Sequence, residues 1–321
     1  MAILGVGGIA LASSSTVPVE ESDVDTGFPA SRSVEEPAGT WETSGASAQR
    51  SLAVYTYESS NNDAAAAVSL ATSLGLADTN VEYDVTMDAF IVADEASQAR
   101  VISQASADKI SFSHDGYDDR AMEKIANGQD PDLPPENQAV RMAQETLEDS
   151  DLMPPASDVS LEDSAVTWTE ARVAETSGEP NSTVDEEIYR TAIQVRFSRT
   201  VDSYEGIGPG AKLGVEFADG GEVSHVLKIW PDLAQVGERE TISVEAAEDR
   251  AHEGQGKIYR PGACADAHVK KANIEYYFPP LDTGQDDVFP VYVFEGPCFD
   301  GSGDRLTGSY STYRHLVPAV T

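Results

Sequence analysis

Acid dominates this chain, and it restricts what the chain can fold into more than any other feature. There are 56 Asp and Glu residues against 21 Lys and Arg, a formal net charge of −35 over 321 residues. Any compact state must keep nearly all those carboxylates in water, because burying an unpaired charge is costly. Self-repulsion at this charge opposes compaction in dilute buffer. At molar salt the Debye length falls to about 3 Å and the repulsion is screened. The composition thus points to a protein that works in concentrated salt, as in a haloarchaeon, and to a fold that needs high salt. Apolar residues make up 40 %, below the usual ~45–50 %, yet they occur in periodic runs rather than sparsely. Nucleic acid is excluded as a partner: phosphate binding needs clustered Lys and Arg, and only Lys270-Lys271 stand together. An anionic membrane surface is disfavoured on the same ground.

The first residues, 1–12, form an uncharged apolar run ending in Ala10-Leu11-Ala12. It is too short to span a bilayer and resembles a truncated signal peptide without its basic start; the other reading is an apolar leader that stays attached. No transmembrane span is expected. Residues 13–49 are rich in Ser, Glu, Thr, Gly and Pro, the composition of a disordered linker or stalk. With export, the even pair Cys264 and Cys298 is expected to form a disulfide, the alternative being two buried thiols. Asn181-Ser182-Thr183 is a glycosylation sequon in a polar loop. An extracellular or cell-surface location follows from these features together.

From Arg50 onward a short Ala-rich helix followed by strands recurs. Helices are expected at about 62–74, 135–148 and 244–252, ended by Gly75, opened by Pro134-Pro135, and capped by Ser243. Strands are expected at Val81–Met87, Ala89–Ala93, Ile110–Ser113, Ala165–Glu175, Ile188–Arg199, Ala272–Phe278, Val288–Glu295 and Ser309–Leu316. A hairpin, Lys212–Phe217 with Glu222–Trp230, turns on Asp219-Gly220-Gly221. The expected fold class is α+β, with each helix packed on an antiparallel sheet. The units are 50–133, 134–241 and 242–321.

The segment Arg199–Ala251 carries "Asp-Gly-Gly-Glu-Val" in its hairpin and "Ile-Ser-Val-Glu-Ala" at its helix start. This phrase resembles the PepSY-type repeats of secreted archaeal and bacterial proteins. The later runs Ala272–Pro280 and Phe289–Glu295 resemble closing strands of such a module. The resemblance implies an extracytoplasmic binding or inhibitory module, and it brings no catalytic residues. No protease domain follows, so an inhibitory role would need a target on a separate chain.

The chemical candidates are weak. His114, His225, His252, His268 and His315 lie in no HExxH pattern, and no GxSxG elbow is present. His268 lies four residues after Cys264 without a supporting motif. Carboxylate pairs such as Asp118-Asp119, Glu186-Glu187 and Asp286-Asp287 are the expected surface of so acidic a chain. Asp300, Ser302 and Asp304 resemble the opening of a calcium loop but lack its closing Glu; a hairpin turn is the simpler reading. Gly206-Ile-Gly-Pro-Gly210 lacks the Lys and Ser/Thr of a phosphate loop and reads as a tight turn. No cofactor is implied. Tyr276, Phe278, Tyr292 and Phe294 fall on neighbouring strands; core on both faces under a covering helix is the favoured reading, and an aromatic ligand face on one side is the alternative. The expected function is non-enzymatic: binding of an extracellular peptide, protein or glycan through a sheet face or strand edge. The alternatives are a hydrolase using acidic residues and a structural component of the cell surface.

Overall fold

Every second residue from Ile193 to Val201 is buried, and this alternation carries a strand of 16 residues. Patterns of this kind recur through most of the chain, so pairing of strands, not packing of helices, organises the molecule. The computed structural model describes residues 10–12, 38–44, 50–58, 64–77, 79–104, 107–174, 186–259, 262–281, 287–307 and 311–320. Asn181 and most of the expected linker lie outside them.

In chain order the elements begin with β1 (Ala10–Ala12), β2 (Ala38–Ser44), β3 (Ser51–Tyr57), α1 (Ala64–Ser73), β4 (Val81–Asp84), β5 (Ala89–Asp94), β6 (Ala99–Gln104) and β7 (Lys109–His114). Next come α2 (Gly116–Ala126), α3 (Glu136–Asp149), β8 (Val159–Ala174), β9 (Glu186–Val201), β10 (Tyr204–Ile207), β11 (Lys212–Phe217) and β12 (Val223–Ile229). The chain closes with β13 (Leu233–Glu240), α4 (Val244–His252), β14 (Lys257–Tyr259), β15 (Asp266–Tyr277), β16 (Asp287–Phe299) and β17 (Thr312–Pro318).

The described strands join into one hydrogen-bonded network of 17. Its larger part is an antiparallel sheet in the order β4-β5-β6-β7-β12-β11-β9-β8-β1. A second part runs β14-β17-β16-β15, with β2 and β10 both parallel to β15 along different stretches of its outer edge. β3 joins β13 to the start of β16, and the tight β9–β10 pair links the two parts.

This arrangement overturns the expected repeat of PepSY-like helix-on-sheet units. Helices α1, α3 and α4 do each precede a set of strands, as the sequence predicts. The strands nevertheless do not stay within their units. β7 pairs β12 from Lys109↔Ile229 to Ser113↔His225, which fuses the first two sets into one sheet. The third set takes β3 from before the first helix. Local pattern specifies strands and turns, but it does not specify which strand lies beside which. The N-terminal segment is corrected as well. Its residues 38–44 form β2 against β15, and Trp41 packs on Phe294 and His252 at centroid distances of 5.1 and 4.6 Å.

Two larger cores result. Helices α1 and α3 cover one face of the first sheet, where Leu70, Ala143 and Leu147 meet Val101, Val195, Val215 and Phe217. Helix α4 lies on the second part, where Ala247 and Ala251 meet Tyr292, Phe294, Tyr313 and Val317. Ser243 caps α4, its hydroxyl accepting from the Ala246 N–H at 3.2 Å. Within the second core Cys264 and Cys298 form a disulfide with Cα atoms 5.3 Å apart. The Gly206–Gly210 run lies flat on the end of β15. Gly208 holds φ +120°, and a Cβ there would collide with the Phe278 carbonyl.

Candidate functional site

The aromatic strands are core on both faces, and the alternative of an exposed ligand face is corrected. Tyr276, Phe278, Tyr292 and Phe294 are all at most 1 % exposed. The Tyr276 hydroxyl donates to the Ala53 carbonyl at 3.0 Å, and that of Tyr292 to the Ile242 carbonyl at 2.9 Å. β15 and β16 are covered on both faces: Tyr292 and Phe294 belong to the core beneath α4, while Tyr277, Val291 and Val293 form a cluster on the opposite side. At the calcium-loop candidate the simpler reading, a turn, is in place. One oxygen of Asp300 accepts from the Ser302 hydroxyl, the Ser302 N–H and the Asp304 N–H, at 2.7, 2.9 and 3.0 Å. That carboxylate is holding a turn. Among the described residues no group of His, Cys, Asp or Glu is placed to hold a metal ion.

A cleft of about 430 Å³ opens instead between α1 and α3, over the first sheet. Residues 73–76 at the end of α1 and residues of α3 from Met142 to Asp149 line it. Gly75, at φ +76°, ends α1, and the Leu76 N–H returns to the Ala71 carbonyl. The hydroxyls of Ser73 and Ser150 meet at 2.9 Å and tie the C-terminal ends of α1 and α3 together at the cleft wall. The floor is apolar: Ala99 from β6, Phe112 from β7 and Phe217 from β11.

One wall is aromatic. β7 ends at His114 and α2 starts two residues later, so the chain doubles back and lays Tyr117 on His114, with ring centroids 3.9 Å apart. Gly116 permits this fold-back, since a Cβ there would sit 3.2 Å from the imidazole. The Tyr117 hydroxyl donates to Glu222 at 3.1 Å. Burial and that bond to a carboxylate raise the phenol pKa, so Tyr117 stays a donor at any physiological pH. Nδ1 of His114 is buried and has no hydrogen-bond partner among the described residues.

The rim is acidic. Glu145 and Asp149, one turn apart on α3, face Glu222 of the β11–β12 turn across the cleft, and all three are exposed. Among the described residues neither Lys nor Arg lines the cleft. Two cations stand outside it: Arg141 beside Glu145 at 3.7 Å, and Arg120 over the Tyr117 ring at 5.0 Å. The turn bearing Glu222 is fixed from below by Asp219, which accepts from Lys124 Nζ and the Asp132 N–H, both at 2.6 Å. Burial works against the Asp219 charge, but these bonds outweigh it and hold the pKa below the usual carboxylate value.

Sequence reading missed this site because its parts are distant in the chain. His114, Tyr117, Glu145, Asp149 and Glu222 come from four separate elements and turns. Helix α2 is absent from the sequence expectations; it opens on Gly116, with acidic residues at 118 and 119, and its buried face is only Ala121 and Ile125. The one available signal is the spacing of Glu145 and Asp149, which places both on one flank of α3 beside Met142.

No family model matches the chain, and no curated protein matches it. Among solved structures the chain is similar to an uncharacterized protein from Eubacterium rectale, at 12 % identity and a TM-score of 0.45. The likeness covers 88 % of this chain and 87 % of that one, and at this level it carries no argument about function.

Proposed function

We propose that this is a non-enzymatic exported binding protein of a halophile, and that the cleft between α1 and α3 receives a basic side chain of an extracellular peptide. The carrying observation is the pairing of an apolar floor, Phe112 and Phe217, with the acceptor rim of Glu145, Asp149 and Glu222. A Lys or Arg side chain has the matching form: an apolar stem below a cationic head. A cleft of this volume is at the small end of ligand pockets and accommodates a side chain rather than a large cofactor. Contact ion pairs over an apolar floor survive salt better than long-range attraction, because ions cannot enter between the partners.

Export is supported by the disulfide, which persists in oxidising compartments. Among the described residues no helix is long and apolar enough to cross a membrane. The hydrolase reading needs a buried carboxylate converging with others in one pocket; the cleft carboxylates are all exposed.

The test is calorimetric titration in molar KCl with Lys-rich, Glu-rich and neutral oligosaccharide ligands. Lys-rich peptide should bind, and Glu145→Gln/Asp149→Asn/Glu222→Gln should weaken it about tenfold or more, as loss of charge-assisted bonds requires. Equal binding of the Glu-rich peptide, or an unaffected triple variant, would refute the cleft. Binding of the oligosaccharide alone would make this a glycan-binding protein.

A further inference from the structure

The first sheet ends differently on its two sides. At one end, β8 pairs with β1 through Ala10↔Ala174, Leu11↔Val173 and Ala12↔Arg172, which covers that edge for as long as the N-terminal apolar run stays attached. At the other end lies β4, which pairs only β5 among the described residues. Its second row of backbone N–H and C=O groups faces outward, a template for another strand.

Proteins usually blunt such edges with Lys, Pro or a bulge. From Val81 to Met87 there is no Lys and no Pro, and the β4–β5 register runs without a shift. The edge instead shows an apolar stripe. Val81 is 39 % exposed and Tyr83 50 %, and the stripe continues into the turn with Val85 at 81 % and Met87 at 40 %. Val81 lies opposite Val92 and Tyr83 opposite Phe90. Val92 is fully buried in the core beneath α1, and Phe90 packs against that core. The core face of the sheet therefore runs on through β5 and β4 to the open edge. The alternate residues, Glu82 and Asp84, are acidic.

We infer that the β4 edge is a strand-addition site for an extended segment whose apolar residues alternate with basic ones. Main-chain bonds to β4 supply the pairing. Apolar residues of the segment, at every second position, extend the core face beside Val81 and Tyr83. Its basic residues lie across from Glu82 and Asp84, where cross-strand pairs of opposite charge stabilise and like charges oppose. The same carboxylates argue against a second copy of this chain. Antiparallel self-pairing would crowd the Glu82 and Asp84 side chains of both copies into one patch, on molecules that each carry −35. Apolar contact and main-chain bonding are also the interactions that molar salt leaves intact.

Fluorescence anisotropy in molar KCl tests this with a labelled peptide of alternating Val and Lys, the same peptide N-methylated at alternate residues, and its Val–Glu counterpart. The Val–Lys peptide should bind. N-methylation on the pairing side should weaken it at least about tenfold, since it removes main-chain donors while keeping every side chain. Measured in the Glu145→Gln/Asp149→Asn/Glu222→Gln background, where the cleft no longer takes the Lys side chains, the Val–Lys peptide should still bind and Val81→Lys/Tyr83→Lys should weaken it comparably, which separates the edge from the cleft. Should the Val81/Tyr83 variant fail to fold, the N-methylated peptides still decide the question. Equal binding of the methylated peptide, preference for Val–Glu, or no binding would overturn the inference. So would sedimentation equilibrium showing a dimer that Tyr83→Lys abolishes, which would give the edge to a second copy.

Discussion

Three buried side chains carry most of what single residues decide here. Glu275 is 8 % exposed; burial, with Glu205 and Glu295 adding and Arg314 opposing, pushes its carboxyl up to about 7. His315 is fully buried, and burial depresses it to about 4 against the opposing bond of Nε2 to the Gln255 carbonyl. Because that carbonyl can only accept, Nε2 carries the proton and Nδ1 accepts from Tyr313. The two residues tilt stability in opposite directions. The folded chain binds a proton at Glu275 below about 7, whereas the unfolded chain does so only near 4.5; its contribution is full below 4.5 and lost as pH rises through 7. Unfolded His315 takes a proton below about 6.5 and the folded residue only near 4, so stability falls as pH drops through that window. Glu275→Gln should therefore stabilise the protein at pH 8, by about 3 kcal/mol from the size of the shift, with little effect at pH 4.5. Denaturant melts at both pH values measure this, and equal effects would contradict it. Arg199 is the third residue: 4 % exposed, between the rings of Trp230 and Phe278 at 5.0 and 4.9 Å, with Nε and Nη1 unpartnered among the described residues. Its contact with both rings holds β9 to the end of β15. Arg199→Ala should cost on the order of 2 kcal/mol or more.

At the scale of elements, the chain shows which signals are local. Helix α4 occupies Val244–His252 with Ser243 as its cap, the bounds that cap and periodicity predict. Ser243→Ala should cost about 1 kcal/mol, read as a lowered melting temperature. The β11–β12 hairpin also lies where Asp219-Gly220-Gly221 places it, with Gly220 and Gly221 at φ 79° and 74°. These features depend on a few adjacent residues. The partners of β7, β3 and β15 depend on contacts across the whole chain, and no short pattern encodes them. The aromatic strands are only half legible for a related reason. Alternation in Tyr276–Phe294 reports two faces, but only the three-dimensional arrangement shows that both are covered. The disulfide joins residues 34 apart in sequence. Cys264→Ser/Cys298→Ser should lose about 3–4 kcal/mol in the chain-entropy model, measured by denaturant unfolding beside the parent protein.

For the whole molecule, charge sets the conditions and the sheet sets the sites. A chain at −35 should gain melting temperature steeply from dilute buffer to multimolar KCl; a flat response would remove the halophile premise. Within that setting the account's central claim is that recognition occurs in the cleft between α1 and α3, at a rim of carboxylates. Methionine provides reporters, because Met142 lines the cleft and Met87 lies at the β4 edge. The most direct measurement is a methyl NMR titration of methionine-labelled protein with a Lys-rich peptide in molar KCl. The account predicts saturable shifts of the Met142 methyl that vanish in Glu145→Gln/Asp149→Asn/Glu222→Gln. An unmoved Met142 at saturating peptide would contradict it.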